Sequence, residues 1–182
     1  VIFSPTPLAG AWLVDLDRHE DARGFFARTW CRREFEAQGL DARLVQCSMS
    51  RNLRRGTLRG MHWQAPPHAE VKLVRCSRGA IWDVILDLRP GSPTHLRHYG
   101  AELTAENGRA LYIPEGFAHG FVTLADDSDV LYQMSEYYEP SAGRGVRWDD
   151  PAFGITWPVA NPILHERDAS YPDYVPEGGR AA

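Results

Sequence analysis

The sequence predicts an all-β sandwich or barrel, and three observations carry that prediction. Short runs rich in Val, Ile, Leu and aromatic residues recur along the chain, turn signals separate them, and strands do not alternate with helices. Sixteen glycines and thirteen prolines are scattered as punctuation rather than gathered into a linker. Many short strands closed by turns are the pattern of packed antiparallel sheets.

Taken in order, AWLVDL (11–16) is the first such run, and DARG (21–24) reads as a turn. CRREFEAQG (31–39) is the one convincing helix, with Gly39 as its stop. LRGMHWQ (58–64) then alternates, with Leu58, Gly60, His62 and Gln64 on one face and Arg59, Met61 and Trp63 on the other. In VKLVRC (71–76), Lys72, Val74 and Cys76 share a face. In AIWDVILDL (80–88), Ile81, Asp83, Ile85 and Asp87 face one way and Trp82, Val84 and Leu86 the other. RPGSP (89–93) is a turn, followed by the runs ALYIP (110–114), GFVTL (120–124) and DVLYQM (129–134). PEG (114–116) and YEPSAG (138–143) are loops. No repeat or linker divides the 182 residues, so one domain, 1–182, is expected.

Composition narrows the function. A net charge of -4 argues against nonspecific attachment to nucleic acid or anionic lipid, yet leaves room for a local basic pocket. No apolar stretch approaches a membrane span. Cys31, Cys47 and Cys76 are odd in number and lack metal-ligand spacing, so neither a disulfide framework nor a thiolate zinc site is indicated. No secretion signal is evident, and a reducing cytoplasmic compartment is the expectation.

Of 20 Lys and Arg residues only Lys72 is lysine. An ammonium is a compact charge that responds to desolvation, whereas a guanidinium is a permanently charged planar fork. Chance drift toward arginine is the plain alternative. Asp83, a carboxylate within an apolar strand, needs a partner, and Lys72 is a candidate. His62 suits either a hydrogen-bonded strand-end histidine or a general base, and a base needs an orienting acceptor, which Asp168 in HERD (165–168) supplies if the chain returns there. His119, in PEGFAHGFV (114–122), reads as a pocket-rim residue or as a partner for a loop carbonyl. Tyr132 reads as a hydrogen-bonded core group or a proton donor. Arg23 and Arg59 suit bidentate phosphate binding, although nineteen arginines weaken that inference for any one. Phe26, Tyr138 and Trp148 fit either stacking on a base or sugar, or simple core packing. His62, Glu70 and His119 are also a possible iron or manganese set, against which stand the lack of an H-x-H pair and the like charge of Lys72. Gly24, Gly56 and Gly60 do not make a phosphate loop.

At GTLRGMHWQ (56–64) and LYIPEGFAHGFV (111–122) the sequence resembles the dTDP-4-dehydrorhamnose 3,5-epimerase family. DARGFF (21–26), VKLVRC (71–76), Leu131 with Tyr132, WDDP (148–151) and Arg167 with Asp168 extend the likeness from about Ala11 to Asp168. The resemblance implies a cupin-like jelly roll with a few short helices, acting as a homodimer without metal or other cofactor. It also implies an N-terminal segment that contributes to the dimer and a C-terminal segment that carries Asp168. The implied substrate is a nucleotide-diphosphate 4-keto-6-deoxyhexose, dTDP-linked, epimerised at C3 and C5. Carried over by motif, His62 becomes the base and Asp168 its orienter. Tyr132 delivers a proton from the opposite face, and Lys72 lies near the C4 oxygen. Arg23, Gln46, Arg59 and His119 contact nucleotide or sugar, with Phe26 and Tyr138 packing on base and sugar.

Arg28, Ser48 and Gly143 stand where the family commonly has glutamate, asparagine and glutamate, and Arg167 replaces a lysine. Losing two carboxylates and gaining an arginine makes that rim more positive, which bears on the substrate accepted and the number of centres inverted more than on activity itself. Two other functions remain open on sequence grounds: a single-centre epimerase or keto-isomerase on a related nucleotide sugar, and a noncatalytic sugar-nucleotide-binding barrel. Deuterium exchange at C3 and C5 separates the first, and insensitivity of the physiological activity to loss of His62 or Tyr132 identifies the second.

Overall fold

The structure, a computed structural model, describes residues 1–175. Its strands are β1 (Ile2–Pro5), β2 (Trp12–Asp15), β3 (His19–Asp21), β4 (Gly24–Phe26), β5 (Gln46–Asn52), β6 (Leu58–Gln64) and β7 (Lys72–Arg78). There follow β8 (Ala80–Asp87), β9 (His98–Thr104), β10 (Ala110–Ile113), β11 (Phe117–Thr123), β12 (Ser128–Met134) and β13 (Gly143–Gly145). Two short helices, α1 (Arg32–Ala37) and α2 (Glu166–Ala169), complete the architecture with a 3-10 turn at Pro140–Ala142. Among the described residues no helix is long and apolar enough to cross a membrane.

A six-stranded sheet in the order β1-β2-β10-β7-β12-β5 packs on a five-stranded sheet in the order β13-β6-β11-β8-β9. Neighbouring strands in both are antiparallel, and the arrangement is a jelly-roll sandwich of the cupin type. The β3–β4 hairpin stands apart from both sheets.

Alternation decides which side chains make the core. Val74 and Cys76 of β7 meet Ile81 and Ile85 of β8, Phe117 and Phe121 of β11 and Val130 of β12 between the sheets. Val84, Leu86 and Met61 point to the far side of the smaller sheet, where Trp63, Trp82 and the C-terminal Phe153 and Trp157 cover them. Each such side chain, taken fully out of water, contributes about 1.5–3 kcal/mol. Cys76 is buried in this core, which pushes its thiol up to about 11, whereas Cys47 is exposed and Cys31 half-buried.

On the outer face of the larger sheet, α1 inserts Phe35 beside Phe3, with ring centroids 5.0 Å apart. Gly39, at φ 74°, stops the helix as expected, and its N–H donates to Glu36 O at 3.0 Å. Asp87 sits buried at the end of β8. Burial alone would raise its carboxyl, but Arg89, Ser92 and Thr94 donate to it and hold it down at about 2. Arg89 also donates to Ala9 O at 2.7 Å, tying the N-terminal turn to this end of the sandwich.

Candidate active site

A cleft of about 1100 Å³ opens between the sheets. His62 of β6 and His119 of β11 reach it from the smaller sheet, and Lys72 of β7 and Tyr132 of β12 from the larger one. Titratable side chains thus line the cleft from two walls built from different sheets.

The His62 wall depends on a chain return of more than 100 residues. Beyond the last strand, Ile163 N donates to Gly56 O at 2.7 Å and Leu58 N donates to Ile163 O at 2.9 Å, so the C-terminal segment runs beside β6. That strap delivers α2, where Asp168 Oδ1 lies 2.7 Å from His62 Nε2 and Oδ2 accepts from Gly60 N at 3.3 Å. Asp168 is only 4% exposed. Burial favours its neutral form, but the His62 bond, His62's charge, the Gly60 amide and Arg167 outweigh it and lower the carboxyl below its ordinary value. Gly60 is required here: at φ 138° it passes so close to Gly120 that a Cβ would overlap that residue's Cα. Tyr171, on the same strap, sets its ring 6.2 Å from that of His62, and only a glycine at 145 leaves space for it.

On the other wall, Tyr132 is packed against the core with its ring 6.1 Å from His119 at 75°. Burial pushes its phenol up, against a smaller opposing pull from the Ser50 hydroxyl, so Tyr132 keeps its proton. Lys72 Nζ lies 2.8 Å from Glu70 Oε1 and donates to His62 O at 3.4 Å, bridging the two walls.

The expected pairing of Asp83 with Lys72 is not what forms. His119 Nε2 takes Asp83 Oδ1 at 2.8 Å, because β11 pairs Phe121 opposite Asp83 and so brings His119 within reach. Asp83 Oδ2 has no protein partner among the described residues. Burial raises Asp83, while His119 and, at longer range, Lys72 oppose it. The metal reading also dissolves, since His62, Glu70 and His119 each engage a different partner. Among the described residues no group of three or more His, Cys, Asp or Glu is placed to hold an ion.

Gln46, Ser48, Arg59, Tyr138, Gly143 and Arg167 line the cleft. Gln46 Oε1 accepts from Tyr138 N at 3.2 Å, and Gln64 Oε1 from Glu139 N at 2.7 Å, which fixes the loop carrying Tyr138. Arg167 Nε stands 3.7 Å from Asp168 Oδ1.

Arg23, Phe26 and Arg28 are not brought there. Arg23 pairs with Asp21 at the tip of the β3–β4 hairpin with its side chain 89% exposed, Phe26 is 77% exposed, and Arg28 pairs with Glu34. Sequence reasoning missed Tyr171, which carries no motif. It weighed Glu70 only as a metal ligand, although an extended chain puts residues 70 and 72 on one face.

Solved structures share this fold. The dTDP-4-dehydrorhamnose 3,5-epimerase from Bacillus anthracis, with TDP and PPi bound, superposes with a TM-score of 0.92 at 39% identity over 95% of this chain and 99% of that one. A dTDP-6-deoxy-D-glucose-3,5-epimerase from Legionella pneumophila, in complex with dTDP-4-keto-L-rhamnose, gives 0.87 at 34% identity over 93% and 90%. The chain is thus a cupin-type jelly-roll enzyme of the carbohydrate epimerase class. A dTDP-4-dehydrorhamnose 3,5-epimerase from Sinorhizobium fredii is 42% identical over 171 residues, 93% of this chain and 88% of the relative. With the model for dTDP-4-dehydrorhamnose 3,5-epimerase matching residues 5–175, this protein belongs to that family.

Proposed function

We propose that the enzyme inverts C3 and C5 of a dTDP-linked 4-keto-6-deoxyhexose by proton removal from one face and return to the other. The observation that supports this reading most is the Asp168–His62 pair facing a protonated Tyr132 across one cleft. Both carbons flank the C4 ketone, so either proton becomes removable once charge can pass to that oxygen. His62 Nε2 is committed to Asp168, which leaves Nδ1 to take the proton and steadies the imidazolium that results. Lys72 stabilises the enolate oxygen as charge develops there. Its partner Glu70 and the His62 carbonyl fix the ammonium in place. Tyr132 then protonates the opposite face of the carbon. Substrate and product carbons stand at the same oxidation level, so these steps consume no oxidant. The test is proton exchange with solvent at C3 and C5 during turnover of dTDP-4-keto-6-deoxyglucose.

Lys72→Arg is expected to keep the charge but lower kcat about 100-fold, because the larger fork no longer seats between Glu70 and the His62 carbonyl. A thermal melt should shift little. Near-wild-type kinetics for that variant would remove Lys72 from the chemistry.

We further propose a homodimer in which the β3–β4 hairpin serves the partner's cleft. Arg23 and Phe26 resemble substrate-contacting residues, yet stand exposed and outside their own chain's cleft. Mixing inactive His62→Ala chains with Phe26→Ala chains should then restore activity above either parent, since one site of each mixed dimer has both wild-type residues. No recovery, or a monomer by analytical ultracentrifugation, contradicts the arrangement.

A further inference from the structure

Arg59, which lines the cleft, has no carboxylate partner among the described residues, whereas Arg167, also on the cleft, stands beside Asp168. Its one side-chain hydrogen bond there runs from Nε to Oδ1 of Asn52, at 2.8 Å. Asn52 is the last residue of β5 and only 2% exposed. Its own amide nitrogen is anchored, donating to Ser128 O at 3.1 Å, to Ser50 Oγ at 3.3 Å and to Ser50 O at 3.4 Å. Those bonds settle which way the carboxamide points. The oxygen must face Arg59, and it takes up the Nε edge of the guanidinium while leaving both terminal nitrogens without a protein acceptor among the described residues.

We propose that Asn52 is a positioning residue for substrate binding: it locks the guanidinium of Arg59 so that its terminal nitrogens present a preset fork to the diphosphate. This rests on the reading of Arg59 as a diphosphate contact. A guanidinium offers a planar set of donors, and fixing one edge removes most of the rotation that a long side chain would otherwise lose on binding. A neutral amide suits the task because a carboxylate would compete with phosphate for the same charge. Asn52 touches no substrate; it acts through Arg59.

The same buried amide reaches the other wall. Ser50 lies opposite Val130, two residues from Tyr132 on the same strand face, and its hydroxyl influences the Tyr132 phenol. Asn52 therefore stands between the phosphate grip and the proton donor, but the geometry is direct only toward Arg59.

The experiment is calorimetric binding of dTDP and of thymidine, which lacks phosphates, to wild type, Asn52→Ala, Arg59→Ala and the double variant. Asn52→Ala should weaken dTDP about tenfold, the scale of a hydrogen bond to a charged group. Thymidine affinity should stay within about twofold, and the Asn52 effect should vanish in the Arg59→Ala background. Equal losses for dTDP and thymidine, or a loss that persists without Arg59, would show a merely structural role and overturn the proposal. If Arg59→Ala itself leaves dTDP affinity unchanged, the reading of Arg59 fails and takes this proposal with it. If Arg59→Ala weakens dTDP but Asn52→Ala does not, only the positioning role fails. Should Asn52→Ala not fold, Asn52→Asp keeps the volume and the acceptor. Its added charge should weaken dTDP, spare thymidine and again have no effect without Arg59; any other pattern refutes the role.

Discussion

His62→Ala should lose turnover by about 10³-fold or more, with deuterium uptake from solvent lost at both C3 and C5. Among the described residues, the other bases on the cleft are held differently: His165 Nδ1 accepts from Arg167 N at the start of α2. His119 is buried and committed to Asp83, and Glu70 is committed to Lys72. Affinity for dTDP should change little, because in the proposed mechanism the imidazole acts on the sugar ring. The variant should also fold, since His62 is half-exposed and its removal opens no core cavity. Kinetics by product NMR and a dTDP titration check both halves. Retained exchange at either carbon would mean that another group removes that proton.

Tyr132→Phe should separate two events that the wild-type enzyme joins. The base can still remove a proton, exchange it with solvent and return it to the same face. Deuterium should therefore enter the substrate while inversion falls by about 100-fold or more. Burial keeps the Tyr132 phenol protonated well above neutral pH, so the acid is available throughout the working range, and the wild-type rate should show no alkaline loss from this group near pH 8 to 9. The hydroxyl is the only group removed and the ring still fills its place in the core, so stability should fall modestly. Full inversion by Tyr132→Phe would move the donor role to another residue.

Much of this was legible in the chain before it folded, and the exceptions have physical causes. β7 and β8 announce their inner faces because apolar residues alternate along them, and Lys72 and Asp83 stand out on those same faces. β5 does not, since QCSMSRN has one face on a polar cleft and the other exposed at a sheet edge. Its role as the wall carrying Gln46, Ser48 and Asn52 emerges only from pairing with β12. The partner of Asp83 likewise depended on register: the sequence offers Lys72 eleven residues away, but β11 arrives alongside β8 and His119 is nearer. Asp168 was within reach of sequence reasoning through its motif, while Tyr171, three residues on, needed the path of the strap and the absent side chain of Gly145. Arg23, Phe26 and Arg28 were legible as candidates but not as exposed ones, because their motif does not say that the β3–β4 hairpin stands apart from both sheets.

The most direct test incubates the wild-type enzyme with dTDP-4-keto-6-deoxyglucose in deuterated water and reads the product by NMR. Opposed donor and acceptor walls around one ketone predict deuterium at both C3 and C5, each with inverted configuration. Deuterium at only one centre would contradict double inversion and leave a single-centre epimerase, and absence of exchange at both would contradict the proton-transfer account for this substrate altogether.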